Sequence, residues 1–224
     1  MSRIPVKICG LTRPDQAKAI AALGVDAIGL VFYPPSPRHV TEALAKAILN
    51  VLPPRFPVVS VTVNESAETT CARARRLGLR WVQLHGDETP ETVAALRREG
   101  LFVIKAIRVS PDLLDAESER WPADLPLLVE SPAGHRPGGT GTAWEWAEAA
   151  PLAARRPIIL AGGLDPENAA RAVQQVQPAA LDLSSGVEEA PGIKSLEKVR
   201  RLLDNLSLVS GTRPFPSPWA ATGP

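Results

Sequence analysis

The stretch that decides the fold is residues 157–186, PIILAGGLDPENAARAVQQVQPAALDLSSG. It contains two short apolar runs, Ile158–Ala161 and Ala180–Ser184, and the segment between them begins with a proline directly behind the capping residue Asp165. Proline is tolerated in the first turn of a helix, so this order predicts a strand, a helix that starts at the proline, and a second strand. Such a βαβ unit is typical of parallel sheets.

The same alternation extends back toward the N-terminus. Helical, Ala-, Leu- and Arg-rich segments separate six further apolar runs, which are Val6–Cys9, Ala27–Phe32, Val58–Val63, Trp81–His85, Phe102–Val109 and Leu127–Glu130. Near-continuous apolar strands between helices indicate a parallel sheet that is buried on both faces. Eight such units in about 205 residues predict a single-domain (β/α)8 TIM barrel, an α/β fold. An open, doubly wound sheet of eight strands is the alternative at this point.

The barrel pattern ends before the chain does. We therefore expect residues 1–206 to form the catalytic barrel domain and residues 207–224 to form a C-terminal tail. This tail is rich in Pro, Ser and Gly and carries two isolated aromatic residues, Phe215 and Trp219, a composition typical of a segment outside a packed core.

Composition excludes several classes of protein. The chain has 224 residues, of which 45% are hydrophobic and 22% charged, and 25 basic against 24 acidic residues leave a formal charge of +1. These values exclude a disordered protein, and they exclude a bulk electrostatic attraction to nucleic acid or to a membrane. No apolar run approaches the ~20 residues of a membrane-spanning helix, and the N-terminus lacks a signal-peptide core. We expect a soluble, cytoplasmic protein.

Cysteine and histidine are rare in this chain. Cys9 and Cys71 are the two cysteines, and the three histidines are His39, His85 and His135. Two distant cysteines exclude a disulfide framework, and histidines scattered in this way make a metal site improbable. Both thiols are expected to be free.

Polar residues collect where the predicted strands end, which is the catalytic face of a TIM barrel. Gln83 and His85 end the fourth strand, and Arg38 follows the second. Lys7 and Cys9 share one face of the first strand because side chains alternate along a strand. Asp182, on the neighbouring eighth strand, is expected to pair with Lys7.

Glycines and serines follow the last two strands. Gly162 and Gly163 come after the seventh strand, and Ser184, Ser185 and Gly186 end the eighth. Backbone N–H groups at these positions bind phosphate in many barrels, so a phosphorylated ligand is expected. The loop Gly138-Gly139-Thr140-Gly141 could close over that anion. Alternatively, these glycines only make tight turns.

Five of these segments together resemble the ordered motifs of the phosphoribosylanthranilate isomerase family. They are VKICG (6–10), QLHG (83–86), GGTG (138–141), LAGGL (160–164) and LDLSSGVE (181–188). The resemblance implies a barrel that converts N-(5-phosphoribosyl)anthranilate to 1-(2-carboxyphenylamino)-1-deoxyribulose 5-phosphate, an Amadori rearrangement in tryptophan biosynthesis. It implies a small phosphosugar substrate and no cofactor or metal. It leaves the choice between monomer and homodimer open.

The resemblance also implies a role for each matching residue. Cys9 is the general base, and Glu130 stands where the family usually carries an aspartate as general acid. Arg38, His85 and Asp182 bind the substrate, and Gly139, with the glycines and serines after strands seven and eight, binds its phosphate. The chemistry requires a lowered pKa for the Cys9 thiol and a raised pKa for the Glu130 carboxyl group.

Competing interpretations remain for these residues. Cys9 by itself would be a small buried apolar residue, and Arg38 an ordinary surface arginine. At the level of function, one alternative is the histidine-pathway aldose–ketose isomerase on the same barrel, which is expected to use aspartates where this chain has Cys9. The other is a catalytically silent phosphate-binding protein, which the glutamate at position 130 would allow.

Overall fold

The computed structural model describes residues 3–108, 111–130, 146–209 and 218–220. Eight parallel strands hydrogen-bond in chain order and close into a barrel, so the predicted fold is confirmed. The barrel strands are β1 Val6–Cys9, β2 Ala27–Val31, β3 Val58–Thr62, β4 Trp81–Leu84, β5 Phe102–Arg108, β6 Leu127–Glu130, β7 Ile158–Leu160 and β8 Ala180–Leu183. A small antiparallel ribbon follows β8, formed by β9 Glu188–Ala190 and β10 Ile193–Lys194.

The helices lie between the strands and cover the barrel. They are α1 Pro14–Ala22, α2 Glu42–Leu49, α3 Ala67–Leu77, α4 Pro90–Arg98, α5 Leu114–Glu119, α6 Ala150–Ala153, α7 Ala169–Val176 and α8 Leu196–Ser207. Proline occupies the first position of α1 and of α4, where its missing N–H costs nothing. Helix α7 begins at Ala169 and not at Pro166, because Asp165 Oδ1 accepts the amides of Glu167 and Asn168 and caps a turn before the helix. Among the described residues, no helix is long and apolar enough to cross a membrane.

Predicted and observed strands differ at their C-terminal ends. β1 and β6 have the predicted bounds, whereas β2, β3, β4, β7 and β8 end one residue earlier. β5 runs to Arg108, and its predicted last residue, Val109, lies outside the described residues. The extra residues still contact the sheet, since the amides of Phe32, His85 and Ala161 each donate to a carbonyl of the adjacent strand. Regular strand pairing therefore stops earlier than predicted, but the residues predicted to lie at the C-terminal end of the barrel are still found there.

The interior of the barrel has an apolar part toward the N-terminal strand ends and a polar part toward the C-terminal strand ends. The apolar side chains that point inward form one buried cluster, which is Ala27, Val59, Trp81, Ile104, Ala106, Leu128, Ile159, Ala161 and Ala180. Above it, toward the C-terminal strand ends, the inward residues Lys7, Gln83 and Asp182 are buried and polar. Burial of polar groups is costly unless they are paired, so this upper layer marks the functional end of the barrel.

Part of the C-terminal tail packs at the opposite end. Pro218–Ala220 form a short 3₁₀ helix, and Trp219 is buried in the same apolar cluster. Its ring lies edge-on to Trp81, with 5.5 Å between ring centroids, and Trp81 stacks on Phe102 at 4.5 Å. Trp81 and Phe102 begin β4 and β5, so Trp219 covers the N-terminal end of the barrel.

Candidate active site

Cys9 and Lys7 both point into the barrel from β1. Lys7 is paired in register with Asp182 of β8, and its Nζ lies 2.7 Å from Asp182 Oδ2, which confirms the predicted ion pair. Gly29 on β2 lies opposite Cys9. A Cβ atom at position 29 would lie 2.7 Å from Cys9 Sγ and 3.1 Å from Lys7 Cε. The absence of a side chain at position 29 therefore provides the space that both residues occupy.

The protonation of Cys9 differs from the expectation. Burial raises the pKa of the Cys9 thiol above 9.0, although Lys7 and Lys194 both act to lower it. Lys7 itself is buried, which would lower its pKa, but Asp182 and Cys9 outweigh burial and raise it. Burial also raises the pKa of Asp182, although the Lys7 ammonium acts to lower it. The expected lowered pKa of Cys9 is thus wrong for this state of the site, because desolvation exceeds the effect of the cations.

A continuous series of side-chain hydrogen bonds crosses the barrel mouth from β1 to β6. Lys7 Nζ donates to Gln83 Oε1 at 3.0 Å, and Gln83 Nε2 lies 2.8 Å from His85 Nδ1. His85 Nε2 lies 2.8 Å from Glu130 Oε1. The series links the residue beside Cys9 to the second candidate catalytic group, so the barrel brings together residues that are 121 positions apart in the chain, as counted from Cys9 to Glu130.

Glu130 is largely buried at the end of β6 and is ionised. Burial by itself would raise its pKa, but the hydrogen bonds that His85 and Arg108 donate, together with the positive charge of Arg108, lower it. Arg108 Nε and His85 Nε2 both contact Oε1. The expected raised pKa is therefore wrong for this state, because two donors converge on the carboxylate. Arg108 was not among the sequence candidates, although it lies on β5 directly beside Glu130 in register.

A buried ion pair supports the loop that follows His85. Lys105 Nζ contacts Glu88 Oε2 at 3.1 Å and donates to the carbonyl of Gly86 at 2.6 Å. Glu88 in turn accepts the amides of Gly86 and Asn64. Lys105 alternates outward on β5 between the inward residues Ile104 and Ala106, so it holds the loop from behind the barrel wall. Sequence reasoning missed this pair, because a lysine in the middle of an apolar strand gives no sign of its partner.

Arg38 lies over the end of β1 and is held by the acidic residue Glu188. Its Nε and Nη2 donate to the two oxygens of Glu188 at 2.8 and 2.6 Å. Glu188 Oε1 also accepts from the buried Lys194 Nζ at 2.6 Å. These donors outweigh burial and lower the pKa of Glu188 to about 2. Among the described residues, Nη1 of Arg38 takes no part in a hydrogen bond, so this edge of the guanidinium is suited to another anion.

The predicted phosphate loops lie side by side after β7 and β8. Gly162 and Gly163 have φ values of +80° and +69°, which glycine adopts readily. A Cβ atom at Gly186 would overlap the carbonyl of Leu164, so only glycine lets the two loops approach this closely. Ser184 Oγ donates to the carbonyl of Cys9 and joins this region to the catalytic strand. Gly139 and its loop lie outside the described residues.

Comparison with known proteins is consistent with this geometry. The family model described as N-(5'-phosphoribosyl)anthranilate (PRA) isomerase matches residues 6–205. The chain belongs to this family. A relative named N-(5'-phosphoribosyl)anthranilate isomerase, from Desulfatibacillum aliphaticivorans, is 45% identical over 90% of this chain and 92% of its own. One of the same name from Rubrobacter xylanophilus is 44% identical over 88% of this chain and 96% of its own. The chain is thus an isomerase of tryptophan biosynthesis, and the resemblance seen in the sequence is confirmed.

Solved structures of N-(5'-phosphoribosyl)anthranilate isomerases share this fold. The enzyme from Thermus thermophilus superposes with a TM-score of 0.78 at 41% identity, over 91% of this chain and 98% of that one. Another, in complex with reduced 1-(o-carboxyphenylamino)-1-deoxyribulose 5-phosphate, gives a TM-score of 0.80 at 35% identity over the same shares.

The site of this family member also contains residues that sequence reasoning missed. Arg108 contacts Glu130, Gly29 provides space for Cys9, and Glu188 with Lys194 holds Arg38. Strand alternation could have found Arg108, which lies two residues beyond the inward Ala106. In the described part of the chain, no group of three or more His, Cys, Asp or Glu side chains is arranged to hold a metal ion.

Proposed function

We propose that this chain catalyses the Amadori rearrangement of N-(5-phosphoribosyl)anthranilate, with Glu130 as general acid and Cys9 as general base. The observation that supports the proposal is the hydrogen-bond series at the barrel mouth, which links Glu130 on β6 to Lys7, the residue that shares the inward face of β1 with Cys9. Protonation of the furanose ring oxygen by Glu130 opens the ring to an imine. Removal of the C2 proton by Cys9 then gives an enolamine, which tautomerises to the ketone.

This assignment requires a proton to change place before the reaction. Burial keeps the proton on Cys9, while His85 and Arg108 keep Glu130 ionised. The active form holds the same number of protons, with one moved from the thiol to the carboxyl group. Two groups that exchange a proton in this way give a bell-shaped pH profile of kcat/KM whose limbs belong to the pair.

Three further residues are proposed to bind the substrate. Arg38 offers its Nη1 edge to the anthranilate carboxylate, because Glu188 already occupies Nε and Nη2. Oδ1 of Asp182 is buried and has no hydrogen-bond partner among the described residues, which suits it to accept a sugar hydroxyl. His85 lies between Gln83 of the polar layer and Glu130, and its ring contacts both.

The phosphate is proposed to bind at the loops after β7 and β8. Gly162, Gly163, Ser184, Ser185 and Gly186 lie on these two adjacent loops, and the backbone N–H groups of such loops are suited to an anion. Gly139 is proposed to complete this site from its loop.

Cys9 and Glu130 lie on two strands of the same barrel, β1 and β6. A relative from Thermotoga maritima was solved as monomers of a dimeric enzyme; it is 32% identical, with a TM-score of 0.80 over 91% of this chain and 98% of that one. We propose that both monomer and homodimer of this chain are active, because Cys9 and Glu130 act within one barrel.

Turnover of the fluorescent anthranilate adduct tests the proposal. We expect Cys9→Ser and Glu130→Ala to slow its loss by roughly 10²- to 10⁴-fold, the usual contribution of a general acid or base. The matched controls are Cys71→Ser, at the buried free thiol in α3, and Glu197→Ala, at an exposed position in α8. A Cys9→Ser rate equal to the wild-type rate would refute the base assignment. Product binding without any turnover would favour the silent phosphate-binding alternative.

A further inference from the structure

Gln83 is the central residue of the hydrogen-bond series, and its orientation is determined by Lys7. The Lys7 ammonium has only donors, so the Gln83 atom at 3.0 Å from Nζ must be the amide oxygen. A flipped amide would place an NH₂ group against the ammonium. Lys7 is itself fully buried and held by Asp182 at 2.7 Å, so this end of the series is fixed.

The orientation of Gln83 in turn determines the tautomer of His85. Gln83 Nε2 can only donate, and it lies 2.8 Å from His85 Nδ1. Nδ1 must therefore be the unprotonated nitrogen of a neutral imidazole, and Nε2 must carry the hydrogen. An imidazolium, or the tautomer with a hydrogen on Nδ1, would set two donors against each other.

The tautomer of His85 decides which oxygen of Glu130 can deliver a proton. Nε2–H donates to Oε1 at 2.8 Å, and Arg108 contacts the same oxygen. Because both donors occupy Oε1, an added proton is directed to Oε2. With a hydrogen on Nδ1 instead, the Nε2 lone pair would face Oε1 and attract the acid proton away from the substrate.

We propose that Gln83 is a positioning residue for the reaction, which fixes His85 as its Nε2–H tautomer and thereby directs the acid proton of Glu130 to Oε2. This inference rests on the proposed role of Glu130 as general acid. The charge of Lys7 orients the Gln83 amide, and Gln83 in turn acts through His85. The buried lysine therefore determines which atoms carry the protons along the series from β1 to β6.

Long-range ¹H–¹⁵N NMR of the ligand-free, full-length protein tests the tautomer directly, because protonated and unprotonated ring nitrogens have separate ¹⁵N shifts. The His85 signals are those absent from His85→Asn. We expect an unprotonated Nδ1 and a protonated Nε2 in the wild type at neutral pH. A proton on Nδ1 in the wild type overturns the inference, whatever the activity of the Glu130 variants.

Two variants test the consequence for catalysis. In Gln83→Glu the carboxylate accepts from both Lys7 and Nδ1–H while Nε2–H still donates to Glu130, so we expect His85 to become an imidazolium that holds Glu130 ionised, and kcat to fall roughly tenfold or more, with less change in KM. Gln83→Met keeps the volume without polar atoms, and we expect both tautomers to appear with a smaller loss of kcat. Gln174→Glu, at an exposed position of α7, is the matched control and leaves both readouts unchanged.

The outcomes separate this inference from the proposed function. Wild-type kcat in Gln83→Met with both His85 tautomers present overturns the positioning role. Wild-type kcat in Glu130→Ala overturns the acid assignment of the preceding section, even where the NMR tautomer is the expected one.

Discussion

Replacement of Gly29 by alanine is expected to remove most of the activity while the barrel stays folded. Gly29 lies within β2 and has no positive φ, so its backbone accepts alanine and only space is at issue. The added Cβ would lie 2.7 Å from Cys9 Sγ. Non-bonded heavy atoms are most stable about 3.5–4.0 Å apart, so Sγ has to move by roughly 1 Å.

A movement of this size has a large effect on rate and a moderate effect on stability. Displacement of a reacting group by about 1 Å can cost about a hundredfold in rate. Overpacking a well-packed core costs about 1–3 kcal/mol of unfolding free energy. We therefore expect kcat of Gly29→Ala to fall by about two orders of magnitude, as measured by the loss of adduct fluorescence, with a cooperative urea transition at a slightly lower midpoint.

A control separates displacement of Cys9 from general overpacking. Ala180→Val adds volume to the inward face of β8, in the apolar cluster below the polar layer. It is expected to lower stability by a similar amount and to leave kcat near the wild-type value. A folded Gly29→Ala protein with wild-type kcat would show that the position of Sγ does not limit the reaction, and the argument from space would be wrong.

Three further perturbations separate stability from catalysis. Trp219→Ala removes a buried ring from the edge of Trp81; we expect a loss of about 3 kcal/mol and a thermal midpoint roughly 6–12 °C lower, with unchanged kcat. An unchanged midpoint would show that this packing contributes nothing. The pKa of Glu188 is lowered from 4.5 to about 2, so its stabilisation is present above pH 4.5 and is lost as the pH falls toward 2. Glu188→Gln should therefore flatten the acid branch of the stability curve by up to about 3 kcal/mol relative to Glu189→Gln, and parallel urea midpoints from pH 5 to pH 2 would contradict this. Glu130→Asp shortens the side chain by about 1 Å and breaks its contact with His85, so kcat should fall roughly 10- to 100-fold; a wild-type kcat would show that this chain tolerates either carboxylate.

The fold was predictable because the physics that determines it is local and repeated. Apolar runs punctuated by proline located all eight strands, and a rim residue such as Cys9 followed from the end of its strand. The pairing of Lys7 with Asp182 was also predictable, since alternation places Lys7 inward and the closed barrel makes β8 the neighbour of β1.

The protonation states were not predictable, because they depend on burial and on partners far away in the chain. Cys9 was expected to have a lowered pKa beside Lys7, but the depth of the site reverses the direction. Glu130 was expected to hold a proton, but Arg108 and His85 converge on it only after β4, β5 and β6 come together. A sequence pattern identifies the ionisable groups of the site. Their pKa values depend on the balance between desolvation and nearby charges, which can be judged only when the distances between the groups are known.

The buried polar groups of the site and the apolar groups that stabilise the fold lie at opposite ends of the barrel. Lys7, Gln83 and Asp182 are buried polar groups whose burial is unfavourable unless every partner is present, so the polar layer contributes order to the site and little net stability. The apolar cluster below it, closed by Trp81 and Trp219, supplies the stabilisation. Variants at the two ends should therefore differ in kind. A conservative replacement at the C-terminal strand ends, such as Cys9→Ser, is expected to change kcat at nearly constant thermal midpoint, and a truncation at the N-terminal end, such as Trp219→Ala, to change the midpoint at nearly constant kcat.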